Sequence, residues 1–127
     1  MSYGYKKEVD LTFENAVIKT KEELAKEGFG VLTEIDVKAT LKKKLNVDYD
    51  NYIILGACNP PFAYNALKVE KEIGLLLPCN VIVFEDNGKV YVSAILPSVA
   101  MAMVNNSNLN EIAIEVEEKL KRVVNIL

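Results

Sequence analysis

The sequence predicts an α+β fold: one five-stranded sheet, antiparallel or mixed, with helices packed mainly on one face. Three observations predict it. Strand-like and helix-like segments alternate along the first two thirds of the chain. Asn87-Gly88 joins two apolar alternating runs and is a type I′ hairpin signal, which a doubly wound parallel sheet would not need. Leu109, Ile112, Ala113, Val116, Leu120, Val123, Val124 and Leu127 then recur at i, i+3, i+4 and i+7, the stripe of an amphipathic helix.

Each element has a local reason. Tyr3, Tyr5, Lys7 and Val9 alternate with Gly4, Lys6 and Glu8 as a first strand. Thr12 can cap the next helix, whose apolar face is Phe13, Ala16, Val17, Thr20 and Leu24. Gly28 suits the left-handed position after that helix, and Phe29 makes the hydrophobic contact beyond it. Residues 31–35 read as a second strand. Asp36 caps a short helix with a narrow stripe of Val37, Leu41 and Leu45. Residues 52–57 form a third strand, apolar on both faces and so internal to the sheet. Asn59 followed by Pro60 starts a third helix, with Asn59 as its cap. Residues 79–85 and 89–96 flank the hairpin. Residues 99–103 give one or two helical turns, and Asn108 with Glu111 forms a capping box for the last helix.

Composition narrows the chemistry. A chain of 127 residues favours a single domain spanning 1–127. At this size it buries roughly two thirds of its unfolded surface and needs neither disulfide nor metal to fold. Fifteen basic and eighteen acidic residues leave a net charge of −3, which argues against nucleic acid as a partner. The absence of histidine removes the Ser-His-Asp triad, the Cys-His dyad and every histidine-ligated metal site. The N-terminus has no apolar signal region, and the longest apolar stretch, residues 74–84, is too short to span a bilayer. The expectation is a cytoplasmic protein without a membrane partner, in which both cysteines are thiols.

Two segments can carry chemistry, Ala57-Cys58-Asn59-Pro60 and Leu77-Pro78-Cys79-Asn80. Cys58 precedes a helix start, where free N–H groups lower a thiol pKa, so it is the candidate nucleophile. Cys79 opens the next strand and is the candidate second thiol. The pair reads as a redox dithiol, as a nucleophile with a partner, or as the floor of a ligand pocket. Equally, free cysteines commonly serve as small core residues. The spacing is neither C-x-x-C nor a zinc knuckle, and no metal or cofactor is predicted. Asn80 shares a strand face with Ile82 and Phe84 and needs partners if buried. It either ties down the Asn59 loop or faces a ligand. Glu34 and Asp36 share a strand face and could work as paired carboxylates, against the simpler reading of a solvated edge plus a cap. Lys42, Lys43 and Lys44 read as a solvated face. Tyr49, Tyr52 and Tyr64 read either as pocket-lining or as ordinary packing.

Three stretches, Gly28-Phe29-Gly30-Val31-Leu32-Thr33-Glu34-Ile35-Asp36-Val37, Ile54-Leu55-Gly56-Ala57-Cys58-Asn59-Pro60 and Gly74-Leu75-Leu76-Leu77-Pro78-Cys79-Asn80-Val81, resemble domain-of-unknown-function family three hundred and two. The resemblance implies a small α+β domain of TATA-binding-protein-like topology, with a curved sheet, helices on one side and frequent dimerisation. It implies no activity. Pro61-Phe62 departs from the family pattern, and Phe62 would narrow any pocket it faced.

Two functional expectations follow. In the first, a homodimer binds a small molecule or performs thiol chemistry at a site of Cys58, Cys79, Asn59 and Asn80, with Glu34 and Asp36 as further ligand-binding candidates. In the second, the protein is a non-catalytic homodimeric interaction module. Both cysteines then belong to the core, and the terminal helix or a sheet face makes the dimer.

Overall fold

Asn87 and Gly88 both adopt positive φ, 51° and 77°, the left-handed pair that a type I′ turn requires. They join β4 (Cys79–Asp86) to β5 (Lys89–Ile95) with Asp86 opposite Lys89. The other strands assemble around this hairpin. β1 (Gly4–Val9) pairs with β5 on the outside, β3 (Tyr52–Cys58) with β4, and β2 (Gly30–Asp36) with β3. The order is β1-β5-β4-β3-β2, and every pairing is antiparallel. The computed structural model describes residues 2–127.

The register sorts the side chains onto two faces. Leu55, Val81 and Ala94 lie side by side, as do Ile53, Val83 and Val92. This face is covered by α1 (Phe13–Lys26) and by α5 (Ser107–Ile126), which together bury Ala16, Leu24, Val116, Leu120, Val123 and Val124 against it. α3 (Pro60–Val69) and the 3-10 turn Lys71–Leu76 pack on the first half of α5, where Ala66, Ile73 and Leu109 form a second, smaller cluster. The opposite sheet face has no helix over its centre. Tyr52, Phe84 and Tyr91 stack across three strands there, with ring centroids 5.5 and 5.3 Å apart.

Local signals act largely as the sequence implies. Thr12 Oγ1 accepts from the Asn15 N–H at 3.1 Å. Gly28 takes φ 87° after α1, and the Gly28 and Phe29 amides bond the Ala25 and Leu24 carbonyls, completing a Schellman motif. Asp36 Oδ1 caps α2 (Val37–Leu45) through the Ala39 N–H at 2.9 Å. At the far edge, Lys7 Nζ donates to the carbonyls of Asn125 and Leu127, at 2.9 and 2.7 Å, and pins β1 to the end of α5.

Some details differ from the sequence reading. α5 starts earlier: Asn106 caps it by accepting from the Asn108 N–H at 3.0 Å, so Asn108 is capped rather than capping. Residues 97–104 form the four-residue α4 (Pro97–Ala100) followed by a 3-10 turn, Ala102–Val104. In addition, the stripe on α2 buries no residue fully: Val37 and Leu41 are half-buried against β2 and β3, and Leu45 is exposed. No helix among the described residues is long and apolar enough to cross a membrane.

Gly56 illustrates the packing limit at the β3–β4 corner. A Cβ there would collide with Thr33 Oγ1 and come within 2.9 Å of Pro78 Cγ. Gly56→Ala should lower stability by about 1–3 kcal/mol in urea unfolding, the cost of overpacking a filled site. Thr20 on α1 is fully buried, and its hydroxyl has no hydrogen-bond partner. Thr20→Val removes that uncompensated group at nearly constant shape. It should raise stability by about 1 kcal/mol, shown by a higher urea midpoint at unchanged slope.

Candidate functional site

The two cysteines lie at the same corner of the sheet. The β3–β4 ladder ends at the pair Ala57–Cys79, so Cys58 lies one residue beyond it, where the chain leaves β3 for α3. Both are free thiols, Cys79 buried and Cys58 half-buried. They border a cavity of about 30 Å³ bounded by the sheet, α3, α4 and α5. Its wall also includes Phe29, Phe62, Met101 and Val116, and is almost wholly apolar. Phe62 is part of the wall of the same cavity as the cysteines.

Size decides much of the chemistry. Ligand pockets usually run to roughly 300–1,000 Å³, whereas a single water needs about 10–15 Å³. The cavity is too small for an organic substrate. Electrostatics points the same way. Burial pushes the Cys79 thiol up to about 11, and the nearby Cys58 thiol adds to the shift. Cys79 is therefore a neutral S–H at physiological pH and a poor nucleophile. The helix start beside Cys58 is also weaker than its position suggests. α3 begins Pro60-Pro61, and these two residues bring no N–H to the open first turn.

Asn59 occupies the cap position of α3 without capping it. The reason is a better partner elsewhere. Its Nδ2 donates to the Glu27 carbonyl at 3.1 Å, tying the β3–α3 turn to the end of α1. Glu27 is held on its other side by α5: Arg122 Nη2 lies 2.9 Å from its carboxylate and Lys119 3.8 Å. The Arg122 hydrogen bond keeps the Glu27 carboxyl below its ordinary range. Asn59 thus lines the cavity as a structural tie.

The structure gathers Cys58, Asn59 and Cys79 and leaves the other candidates apart. Asn80 is exposed, on the opposite sheet face from Cys79, beside Tyr3, Tyr52, Ile82 and Ser93. Glu34 pairs with Lys21 of α1 at 2.7 Å, and Asp36 is engaged as the α2 cap. Tyr52 stacks on the open sheet face, and Tyr64 is exposed on α3. Among the described residues no group of three His, Cys, Asp or Glu side chains gathers as a metal cluster. Met101, in contrast, reaches the cavity without any sequence signal, since nothing in the spacing of residues 58, 79 and 101 announces their convergence.

Residues 5–127 match the family model described as Domain of unknown function DUF302. The chain is also similar to a solved structure, the crystal structure of an uncharacterized conserved DUF302 protein from Bacillus stearothermophilus. The two share 29% sequence identity over 98% of each chain, with a TM-score of 0.93. No curated protein matches the sequence.

The raised Cys79 pKa has a stability consequence. The unfolded thiol ionises near 9 and the folded one near 11, so between these values only the unfolded chain releases the proton. Stability is fully present below pH 9 and falls as pH rises toward 11, by about 1–3 kcal/mol. Cys79→Ala should show a shallower alkaline loss than the native chain in urea titrations across this window.

Proposed function

The chain belongs to the DUF302 family of unknown function, and from that premise we propose that it is a non-catalytic homodimeric interaction module whose contact surface is the β2–α2 flank. One observation carries the reading. From residue 30 to residue 50 no residue is buried, although the stretch forms a seven-residue strand and a nine-residue helix. Helices this short are marginal in water and owe their stability to packing. The flank nevertheless leaves Leu32 68%, Leu45 66% and Ile35 47% exposed. β2 is also a sheet edge with unpaired backbone groups, and it lacks the paired lysines, Lys6 and Lys7, that guard the other edge at β1.

Charge favours a second copy as the occupant. Residues 30–50 contain four lysines, at 38, 42, 43 and 44, and four carboxylates, Glu34, Asp36, Asp48 and Asp50. A two-fold contact sets a patch against itself, so a patch with net charge would repel its own copy. This patch has none, and it offers no bias toward a strongly acidic or basic partner. The terminal helix is a weaker candidate surface, since its apolar stripe is taken up by the core. The buried, protonated Cys79 and the water-sized cavity support a core role for the thiols over organic catalysis.

Sedimentation equilibrium over a wide concentration range tests the proposal. The native chain should be dimeric. Leu32→Glu and Leu45→Glu touch only exposed positions and should keep a native circular dichroism spectrum. Each should weaken the dimer by about 30-fold or more, the cost of one lost anchor near 2 kcal/mol. A native chain that stays monomeric throughout, or a dimer indifferent to both variants, would sink the reading.

A further inference from the structure

Resting on the second-copy reading of the flank and extending it, we propose that the uncovered face of the sheet packs against the same face of a second copy, so that two sheets enclose a further core. The register lays this face out in rows. Tyr91, Phe84 and Tyr52 form one row across β5, β4 and β3. Ile82, Ile54 and Ile35 form the next, across β4, β3 and β2. An antiparallel sheet with one face in water normally alternates apolar residues inward with polar residues outward. The central strands here break that alternation. Leu55, Val81 and Val83 are fully buried beneath the helices, and their neighbours Ile54, Ile82 and Phe84 on the other face are apolar as well. A contiguous apolar surface of this kind marks a contact site.

Charge and area select the occupant. Neither row carries a charged side chain. Beside the aromatic row, Lys6 lies over the Tyr91 ring at 5.3 Å and Glu8 stands 3.9 Å from Lys89, so these charges are engaged near the β1 edge. A nucleic acid or an anionic bilayer would need free basic groups across the face. An uncharged apolar patch meets its own copy without repulsion. The area agrees. The chain exposes 7743 Å², whereas a compact monomer of this mass exposes roughly 6,800 Å². The excess, about 1,000 Å², is close to the roughly 800 Å² that each partner buries in a stable interface of standard size. Ile35 makes the face continuous with the flank, since it ends the isoleucine row and is 47% exposed on β2.

The test joins sedimentation equilibrium to hydroxyl-radical footprinting of the full chain. Oxidation of Ile82, Phe84 and Tyr91 should be low in the dimer and rise several-fold on dilution to monomer. Ile82→Lys, at the middle of the face, should weaken the dimer by about 30-fold or more. Ile82→Thr keeps the β-branched shape and covers the case in which the lysine disturbs folding; it should weaken the dimer by about tenfold. Both variants are checked for a native circular dichroism spectrum. A dimer broken by Leu32→Glu and Leu45→Glu but indifferent to both Ile82 variants, with the face oxidised equally in dimer and monomer, overturns the face contact and leaves the flank standing. A dimer broken by both Ile82 variants and indifferent to the flank variants supports the face and overturns the flank. A chain that is monomeric at every concentration overturns both.

Discussion

The fold turns on the carbonyl and carboxylate of one residue, Glu27. Its position at the end of α1 is set by the left-handed turn at Gly28. A side chain at Gly28 would face a positive φ and would also stand 3.2 Å from the Asn59 amide. Glycine therefore allows Asn59 to reach the Glu27 carbonyl, while Arg122 and Lys119 take the carboxylate. One residue thus joins α1, the β3–α3 turn and α5. The direct hydrogen bond fixes where Cys58 leaves the sheet, and that in turn fixes the mouth of the cavity. The exposed parts of the ion pairs contribute little to stability on their own. Their role is positional.

Much of this is legible in the sequence because the signals are local. Positive φ at Asn87, Gly88 and Gly28, the caps at Thr12 and Asp36, and the periodicity of α5 each depend on a few neighbouring residues. The cap of α5 lies two residues before the one its sequence suggests, because Asn106 and Asn108 are chemically alike and only geometry separates donor from acceptor. Asn59 departs from its sequence signal for a different reason. Its position and the following prolines announce a cap, and the competing carbonyl lies 32 residues upstream in the chain, at Glu27. The candidate site is half legible. Cys58, Asn59 and Cys79 come to one corner because β3 and β4 are neighbours, whereas strand alternation sends Asn80 to the other face of the sheet. Met101 is invisible, since its arrival depends on how α4 follows β5.

The two ends of the β3–β2 side have opposite characters. At the β3–β4 corner the chain is tightly filled: Gly56 has no room for a methyl group, and Phe62 presses on the cavity. Across β2 and α2 the same sheet forms regular structure without enclosing anything. The closed corner leaves no room for a partner, and the open, charge-balanced flank suits a second copy of the same surface.

The pinning of β1 to β5 and to the end of α5 has a kinetic side. The β3–β4–β5 meander is built from segments close in sequence, with its tightest turn at Asn87-Gly88. β1, in contrast, finds Ile95 and the carbonyls of Asn125 and Leu127 only by closing nearly the whole chain into a loop. Loop closure costs entropy before any contact offsets it, so non-local pairings slow folding. The order of events that follows is a meander formed early and a first-synthesised strand that docks last. Until then β5 is an edge, and the apolar Val90, Val92 and Ala94 that β1 flanks remain open to a neighbouring chain. The outermost strand opposite the flank is thus the latch that ends the protein's exposure to misassembly.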